Sequence, residues 1–160
     1  MQIFKYESID STFSESGRAA PALKEGEYLF LANEQTHGRG QRDHSFVSPR
    51  GNGIYATLLI KGNFDISITQ SLTPLAAVCV TEVFSAFRHG LTIKWINDLH
   101  IGGKKYGGIL SAASIENGRV RVLRVGFGIN LGVAQTIQTA GTLKLDASSE
   151  YDALAMDIAT

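Results

Sequence analysis

Short runs of apolar, β-branched and aromatic residues recur along most of the chain and predict a domain rich in β-strands. The two clearest runs are residues 28–33 and 54–60, which are apolar enough to be buried strands. A shorter strand is predicted at residues 2–6. Beyond residue 90, turn residues such as Asn117-Gly118 separate further runs. The strands predicted there are residues 92–95, 98–101, 104–115, 119–125 and 126–132.

Helical spacing is strongest over residues 71–88, where apolar side chains recur three and four positions apart. Pro74 suits the first turn of this predicted helix, and Gly90 lies just past its end. A shorter helix is predicted over residues 13–24. It follows three residues that are good N-caps, namely Asp10, Ser11 and Thr12. A third helical pattern covers residues 148–159.

The order of these elements is a strand and a helix, two long strands, a second helix, and then a series of hairpins. Strands joined by hairpins are antiparallel. We therefore predict an α+β fold, with a mostly antiparallel sheet and helices packed on one side. A chain of 160 residues suits a single domain, covering residues 1–160.

The connection between the two long strands is polar and much longer than a tight hairpin needs. Residues 37–53 contain three arginines, two histidines and four glycines, and Asp43 is their only carboxylate. Glycine allows close approach of the backbone to a ligand, and arginine offers forked donors to phosphate or carboxylate. Loops of this length without secondary structure are usually functional. The pattern predicts an anion-binding loop, and the alternative is a mobile, solvated basic loop.

Overall composition excludes several classes of function. Lysine plus arginine equals aspartate plus glutamate at 15 each, which gives no reason to expect a nucleic-acid or membrane partner. No cysteines and histidines have metal-site spacing, and the single Cys79 is predicted to be a small buried residue. No signal peptide or transmembrane stretch is evident, so a cytoplasmic location is expected.

Two further polar segments are expected to converge with the loop if the central strands lie side by side. One is Lys94-Trp-Ile-Asn-Asp98 together with the lysine pair at 104–105, and the other is Gly126-Phe-Gly-Ile-Asn130. Asp98 would hold an arginine or a hydrated magnesium ion. Simpler alternatives remain open: Trp95 belongs to the core, residues 97–98 form a turn, and the lysine pair is a solvated hairpin edge.

Several motifs together resemble the catalytic domain of biotin protein ligases, within the biotin/lipoate ligase family. The matching motifs are Asp10-Ser-Thr12, Glu34-Gln-Thr-His-Gly-Arg-Gly-Gln-Arg42, Ser48-Pro49, Lys94-Trp-Ile-Asn-Asp98, Lys105-Tyr-Gly-Gly-Ile-Leu110 and Gly126-Phe-Gly-Ile-Asn130. They occur in the family's order and cover about residues 8–135. The resemblance implies a class II aminoacyl-tRNA synthetase-like catalytic domain. No helix-turn-helix precedes Met1 and no small β-barrel follows, so neither a repressor role nor that barrel is expected.

The resemblance also implies a reaction and a set of residues. Such ligases activate biotin with MgATP to biotinyl-5'-AMP, then transfer biotin to a lysine of a biotin carboxyl carrier protein, a subunit of acetyl-CoA carboxylase. Lys105 and Arg39 would be catalytic, and Asp98 would face the metal. The residues implied for biotin are Ser11, Thr12, Gln35, Gly38, Arg39 and Gly107. Those implied for the nucleotide are Arg39, Gly40, Arg42, Phe46, Asn97, Asp98 and Asn130. A homodimer through an exposed strand edge is compatible with the sequence but not specified by it.

Several positions depart from the family's pattern. Phe13 stands in place of an asparagine, Gln41 in place of an arginine, and Phe46 in place of a tryptophan. Asp43 replaces a glycine of the same loop, and Ile96 replaces a proline. The lost arginine predicts weaker retention of the adenylate, which a comparison of biotinyl-AMP release between wild type and Gln41→Arg tests. Two alternatives therefore stay open: a lipoate or octanoate ligase or transferase, and a non-catalytic homologue that only binds a ligand.

Overall fold

The computed structural model describes residues 1–87, 91–130 and 155–159. The strands are β1 (Gln2–Tyr6), β2 (Gly26–Ala32), β3 (Gly53–Phe64), β4 (Thr92–Lys94), β5 (Asp98–Ile101), β6 (Lys104–Glu116) and β7 (Arg119–Asn130). The helices are α1 (Thr12–Ala19) and α2 (Ile68–Phe87). Short 3₁₀ turns cover Ala20–Ala22 and Gln41–Asp43, and residues 155–159 are helical.

The strands form one sheet in the order β1-β2-β3-β7-β6-β5-β4. Within this described sheet, β1 and β2 pair in parallel and all other neighbours are antiparallel. The parallel pair needs a crossover connection, and α1 provides it. Strands β4 to β7 return from the far edge as a meander, so β7 pairs with β3 at the centre. The predicted α+β class and mostly antiparallel sheet are confirmed.

The two helices lie on opposite faces of the sheet, so the prediction that they pack on one side is wrong. Successive residues of a strand point to opposite faces. Ala56 of β3 belongs to the apolar cluster that includes Ala77, Val80 and Phe84 of α2. The next residue, Thr57, faces the other way and hydrogen-bonds to Thr12 of α1. The sequence of α1 is too polar for its pattern to indicate which face it covers.

The larger core lies between the sheet and α2. Its buried members from the strands are Leu29, Leu31, Ile54, Ala56, Leu99, Ile109, Val125, Phe127 and Ile129. Ala155 from the 155–159 segment joins the same cluster. Residues 155–159 therefore confirm the end of the predicted third helix, whereas residues 148–154 lie outside the described part of the chain. On the α1 face a smaller cluster joins Tyr28, Phe30, Leu59 and Val122.

Several predicted boundaries shift for local reasons. Helix α2 begins at Ile68 rather than near residue 71, because the Asp65 carboxylate accepts a hydrogen bond from the Ser67 backbone N–H at 3.0 Å. Pro74 consequently lies inside the helix rather than in its first turn. Strand β3 continues to Phe64, beyond its predicted end at residue 60, with an irregular register after Lys61. Strand β7 is continuous where two segments were predicted.

Cys79 is exposed on α2, so its predicted burial is wrong. The neighbouring Leu75 and Val78 are also exposed, at 56% and 42%. The run Ala76-Ala-Val-Cys-Val80 contains no polar residue to mark its outer face, which is why hydrophobicity alone suggested burial. In the described segments, no helix combines the length and apolar character needed to cross a bilayer.

Candidate active site

The register of four strands brings the predicted polar segments together. Gly128 of β7 pairs with Tyr55 of β3 on one side and with Gly108 of β6 on the other. Gly108 in turn pairs with Asp98 of β5. These four residues therefore form a row across the sheet, and the predicted convergence of the loop, the Lys94–Asp98 segment and the Gly126–Asn130 segment is confirmed.

A cavity opens above this row, on the face of the sheet that carries α1. Its lining comes from the start of α1, the 37–53 loop and strands β3, β6 and β7. The lining residues are Ser11, Thr12, Phe13, Gln35, Arg39, Gly40, Gln41, Phe46, Ala56, Thr57, Asn97, Lys105, Gly108, Ile109, Leu110, Gly126, Phe127 and Gly128. Eight of the sequence-predicted site residues are among them: Ser11, Thr12, Gln35, Arg39, Gly40, Phe46, Asn97 and Lys105.

Glycines on β7 allow two aromatic rings to lie directly on the sheet. A Cβ at Gly126 would come within 3.0 Å of the Phe13 ring, and a Cβ at Gly128 would collide with the Phe46 ring. Any larger residue at either position would displace a cavity wall. The glycines that thin this strand in the sequence are therefore explained by close approach of side chains.

One end of the cavity is a closed hydrogen-bond network, which we call the polar cluster and which consists of Thr12, Gln35, Ser48 and Thr57. Gln35 Oε1 accepts from the Thr12 backbone N–H at 2.8 Å and from the Thr12 hydroxyl at 3.1 Å. Gln35 Nε2 donates to Ser48 Oγ at 2.8 Å. The Thr12 and Thr57 hydroxyls lie 2.9 Å apart. Both threonines and Ser48 are buried, so these bonds hold the Gln35 amide in a fixed orientation.

Sequence reasoning missed Thr57. It is completely buried in the middle of β3 and reaches the cavity floor. A threonine inside an otherwise apolar strand is the signal that would have found it, because a buried hydroxyl must find a hydrogen-bond partner.

The start of α1 is fixed by Ser11 and by an ion pair. Ser11 is the N-cap, and its side chain accepts from the Ser14 N–H at 3.3 Å. Arg18 binds the Asp10 carboxylate through two bonds of 2.8 and 2.7 Å. The hydrogen bonds from Arg18 are the main cause that lowers the pKa of Asp10 to about 2. The carbonyl of Asp10 also accepts from the His37 N–H at 2.8 Å, which joins the helix start to the loop.

The long loop is more ordered than its composition predicted. Gln35 N–H donates to the Ser48 carbonyl at 3.0 Å, and Phe46 N–H donates to the Gly38 carbonyl at 2.8 Å. Gly40 N–H donates to the His44 carbonyl at 2.7 Å, which closes the tip. A Cβ at Gly38 would overlap the Phe46 carbonyl, so the two sides of the loop approach closely there. The alternative of a purely solvated basic loop does not describe these residues.

The opposite side of the cavity carries charge, and we call it the cationic rim: Arg39, Asp98 and Lys105. Lys105 Nζ lies 2.7 Å from Asp98 Oδ1, and their side chains are 44% and 26% exposed. The Lys105 side chain passes over Gly108, where a Cβ would lie 3.7 Å from its Cε and Nζ, in ordinary van der Waals contact. Arg39 lines the cavity from the loop. A partly exposed ion pair exchanges partners at little cost, so Lys105 can turn from Asp98 to an anionic ligand.

The remaining predicted residues surround the cavity without lining it. Gly107 points its missing side chain toward Leu99 and Ile129 in the core, and its neighbour Gly108 lines the cavity instead. Gly38 packs within the loop, Asn130 is buried at the end of β7, and Asp98 reaches the site through Lys105. Arg42 is exposed at the loop tip with a positive φ of 54°. Lys105 and Arg39, which are predicted to be catalytic, thus line the same cavity, whereas these five residues do not line it.

Trp95 is 79% exposed, so the alternative that it belongs to the core is wrong. The strand β4 ends before it, and the Trp95–Ile96 peptide is cis. Next in the chain, Asn97 is anchored by its carbonyl, which accepts from the Ile109 N–H at 2.8 Å. Its side-chain amide donates to the Ile109 carbonyl at 3.3 Å. Asn97 therefore does more than close a turn, because it ties the segment to the cavity-lining part of β6.

No group of three or more histidine, cysteine, aspartate or glutamate side chains comes together among residues 1–87, 91–130 and 155–159. Asp98 is a carboxylate close to the cavity, where it contacts Lys105. A cation held here would need most of its ligands from water or from a substrate, as Mg²⁺ beside phosphates commonly has.

Fold and cavity together define an α+β domain whose cavity has a preformed polar cluster and a cationic rim. A model of the biotin/lipoate A/B protein ligase family matches residues 6–130, and the chain belongs to that family. The resemblance expected from the motifs is thereby confirmed.

Curated relatives include a bifunctional ligase/repressor BirA from Bacillus spizizenii, 41% identical over 104 residues. That match covers 64% of this chain and 32% of the relative. The biotin–[acetyl-CoA-carboxylase] ligase of Paracoccus denitrificans is 35% identical over 130 residues, covering 78% of this chain and 52% of the relative. The chain therefore spans about a third to a half of the length of these relatives.

Solved structures share the fold at low identity. Biotin protein ligase from Leishmania major in complex with biotinyl-5-AMP has a TM-score of 0.77 and 20% identity, covering 99% of this chain and 70% of that one. Biotin protein ligase from Aquifex aeolicus in complex with biotin and ATP has a TM-score of 0.76 and 22% identity, covering 98% and 68%. These similarities confirm the fold of the predicted catalytic domain.

Proposed function

We propose that this protein is an ATP-dependent biotin ligase, which forms biotinyl-5'-AMP and passes biotin to a lysine of a carrier protein. The observation that carries the proposal is that one cavity joins the polar cluster to the cationic rim. Its polar cluster suits a neutral ring with donors and acceptors, and its cationic rim suits two anions that must meet. Family membership and the ligands named for the solved relatives support the same chemistry.

The first step joins two anions, so its main barrier is electrostatic. A carboxylate oxygen of biotin attacks the α-phosphorus of ATP, the bond to the β-phosphate oxygen breaks, and pyrophosphate leaves. Lys105 would leave Asp98 and place its ammonium between the carboxylate and the α-phosphate, while Arg39 would bind phosphate oxygens. Preorganised cations of this kind often supply the largest single term in catalysis.

In the second step the lysine amine of the acceptor attacks the acyl carbon of the adenylate, and AMP leaves. The amine must be neutral to attack, and the proton it loses passes to a base or to water. Gly40 and Phe46 would cover the adenylate from the loop, which limits its hydrolysis. We propose a biotin carboxyl carrier protein of the acetyl-CoA carboxylase type as the acceptor, by analogy with the Paracoccus relative.

The nucleotide would extend from the rim toward the loop tip and the end of β7. Asn97 lies beside Lys105 in the cavity wall, and Arg42 at the loop tip and Asn130 on β7 stand further out. Mg²⁺ would neutralise the triphosphate, and Asp98 would offer it one carboxylate oxygen once Lys105 has turned away. Ser11 and Gly38 would support the biotin head through the backbone that they fix.

Two alternatives carry their own observations. A lipoate or octanoate ligase or transferase has the same fold, and an apolar cavity wall such as Phe13 would also accept the hydrocarbon part of those acids. A homologue that binds a ligand without turnover would explain why Gln41 stands where the family's pattern has an arginine. The intact Lys105–Asp98 pair favours turnover, since an isolated binding site has no need of a mobile cation there.

An acid-dependent pyrophosphate assay separates these readings. The protein is incubated with MgATP and biotin, lipoate or octanoate, and an acyl-carrier donor is tested for octanoyl transfer without ATP. Biotin-dependent release, abolished in Lys105→Ala but kept in Lys104→Ala, is the expected result. Release only with lipoate or octanoate, or acyl transfer without ATP, would replace biotin as the substrate. No turnover with any of them would leave a binding protein.

A further inference from the structure

Phe13 forms a wall of the cavity and is held from behind by an arginine of β7. The Arg124 guanidinium lies 4.6 Å from the centre of the Phe13 ring. Its Nη1 also donates to the Phe13 carbonyl at 3.0 Å. Cation and hydrogen bond thus act on the same residue, one on the ring and one on the backbone. The ring also lies against Gly126, where a Cβ would be 3.0 Å from the ring atom Cδ2.

Gly17 of α1 makes room for this arginine. A Cβ at Gly17 would lie 2.5 Å from Arg124 Nη1 and 3.3 Å from its Cζ. Glycine weakens a helix interior, so its presence in this eight-residue helix calls for a structural reason. The guanidinium of Arg124 supplies that reason. Gly17, Arg124 and Phe13 therefore form one packed unit, which we call the Phe13 clamp.

The Phe13 clamp adjoins the polar cluster. Phe13 follows Thr12 directly, and both residues line the same cavity. A ring held by the donors and acceptors around Thr12 and Gln35 would therefore meet the Phe13 side chain next. Arg124 does not line the cavity, and burial together with the nearby Arg39 lowers its pKa. Keeping a half-buried guanidinium at this point requires the compensating contacts that Phe13 provides.

We propose that Arg124 is a positioning residue that fixes Phe13 as a specificity-determining wall for the fused ring of the acid. The inference rests on the proposed function, because it concerns the acid that this cavity activates. With the wall in place, a rigid bicyclic head packs against Phe13. A flexible acid with the same ureido group but no second ring, such as desthiobiotin, gains less from that contact.

The test compares biotin with desthiobiotin in the pyrophosphate assay. Arg124→Leu and Phe13→Ala should each raise the KM for biotin by about tenfold, with the KM for ATP unchanged. The KM for desthiobiotin should change much less, so that the preference for biotin falls. Arg124→Lys keeps a cation and a donor and should recover part of the preference. Gly17→Ala should act in the same direction as Arg124→Leu but more weakly, because its methyl group shifts the guanidinium without removing it.

The double variant distinguishes positioning from a general loss of structure. If Arg124 acts through Phe13, adding Arg124→Leu to Phe13→Ala should change the biotin KM no further. Arg119→Leu is the matched control, because Arg119 lies on the same strand and pairs with Asp65 away from the cavity. Urea unfolding of every variant shows whether any KM change merely follows lost stability.

Each of the following results would overturn the inference. An unchanged preference for biotin in Arg124→Leu would show that the arginine serves stability alone. Additive effects in the double variant would show that it acts independently of Phe13. Wild type that turns over neither ureido acid would refute the proposed function and this inference with it. If the wild type turns over biotin and the variants keep the same KM and the same preference, only this inference is refuted and the proposed function stands.

Discussion

The two ends of the cavity are built differently. In the polar cluster, Thr12, Gln35, Ser48 and Thr57 are joined by short hydrogen bonds, and three of the four are buried. In the cationic rim, Lys105 and Asp98 share one partly exposed ion pair. A buried network is rigid and expensive to disturb, whereas an exposed pair is weak and easily exchanged. For the proposed function, we therefore expect the polar cluster to select the acid by shape and the cationic rim to respond to its charge.

The largest effect is expected from removing the ammonium group of Lys105. Lys105→Ala should lower the rate of adenylate formation by about 10²- to 10³-fold, since a preorganised charge near the reacting phosphate is lost. Its free energy of unfolding should change by less than about 1 kcal/mol, because the pair with Asp98 is exposed. Single-turnover kinetics and urea unfolding measure the two quantities.

Lys104→Ala is the matched control for that variant. Lys104 is the exposed neighbour at the start of β6 and does not line the cavity. It should retain the wild-type rate. A rate equally reduced in both variants would show that the charge of the hairpin, rather than the position of Lys105, matters.

Loss of the buried Thr57 hydroxyl in the polar cluster should have the opposite pattern: a clear loss of stability and a small effect on the rate. Thr57→Val keeps the shape of the side chain but leaves Thr12 Oγ1 without that partner, at a cost of about 1–3 kcal/mol of stability. The KM for biotin should rise more than kcat falls. Thermal unfolding and steady-state kinetics test both. Thr92→Val, at an exposed position in β4, is the control and should change stability by less than about 0.5 kcal/mol.

Asp98→Asn tests whether Asp98 binds Mg²⁺ or only pairs with Lys105. The variant removes one carboxylate oxygen that we propose for Mg²⁺, so the Mg²⁺ concentration for half-maximal activity should rise about tenfold. The KM for biotin should stay constant because Asp98 does not line the cavity. A magnesium titration at saturating ATP makes the measurement. An unchanged titration would leave Asp98 as no more than a partner for Lys105.

The smallest effect is expected from the ion pair at the start of α1. Because folding lowers the pKa of Asp10 to about 2, its stabilising contribution is present above the ordinary value near 3.8. That contribution is lost as the pH falls from about 4 to 2. The pair is exposed, so the loss should stay below about 1 kcal/mol. In Arg18→Leu this part of the pH dependence should be missing, as thermal unfolding from pH 5 to 2 would reveal.

Much of the sheet could be predicted because its strands carry strong local signals. Residues with positive φ form the turns at Gly102-Gly103 and Asn117-Gly118. Such turn residues can be recognised in the sequence, and they separate the strands on either side. The faces of the sheet were harder to predict. Helix α1 buries Thr12 and Ser16 rather than a long apolar stripe, so no periodicity assigned it to the side opposite α2. The exposed Trp95 and Cys79 show the same limit, since hydrophobicity does not record which face a residue occupies.

The residues of the candidate site likewise fall into those that the sequence predicted and those that it did not. Lys105, Arg39 and Gln35 were found because they lie in recognisable motifs. Thr57 and Arg124 were missed because their roles depend on contacts across 45 and 111 positions of the chain. Nothing local to β7 indicates that Arg124 packs against Phe13.

The central claim is that one cavity joins biotin to the α-phosphate of ATP. The most direct measurement is to mix the protein with biotin and MgATP, denature it after a short interval, and quantify the released small molecules by mass spectrometry. The account predicts biotinyl-5'-AMP close to one equivalent of protein, and almost none from Lys105→Ala. Bound biotin and ATP without any adenylate in the wild type would contradict it.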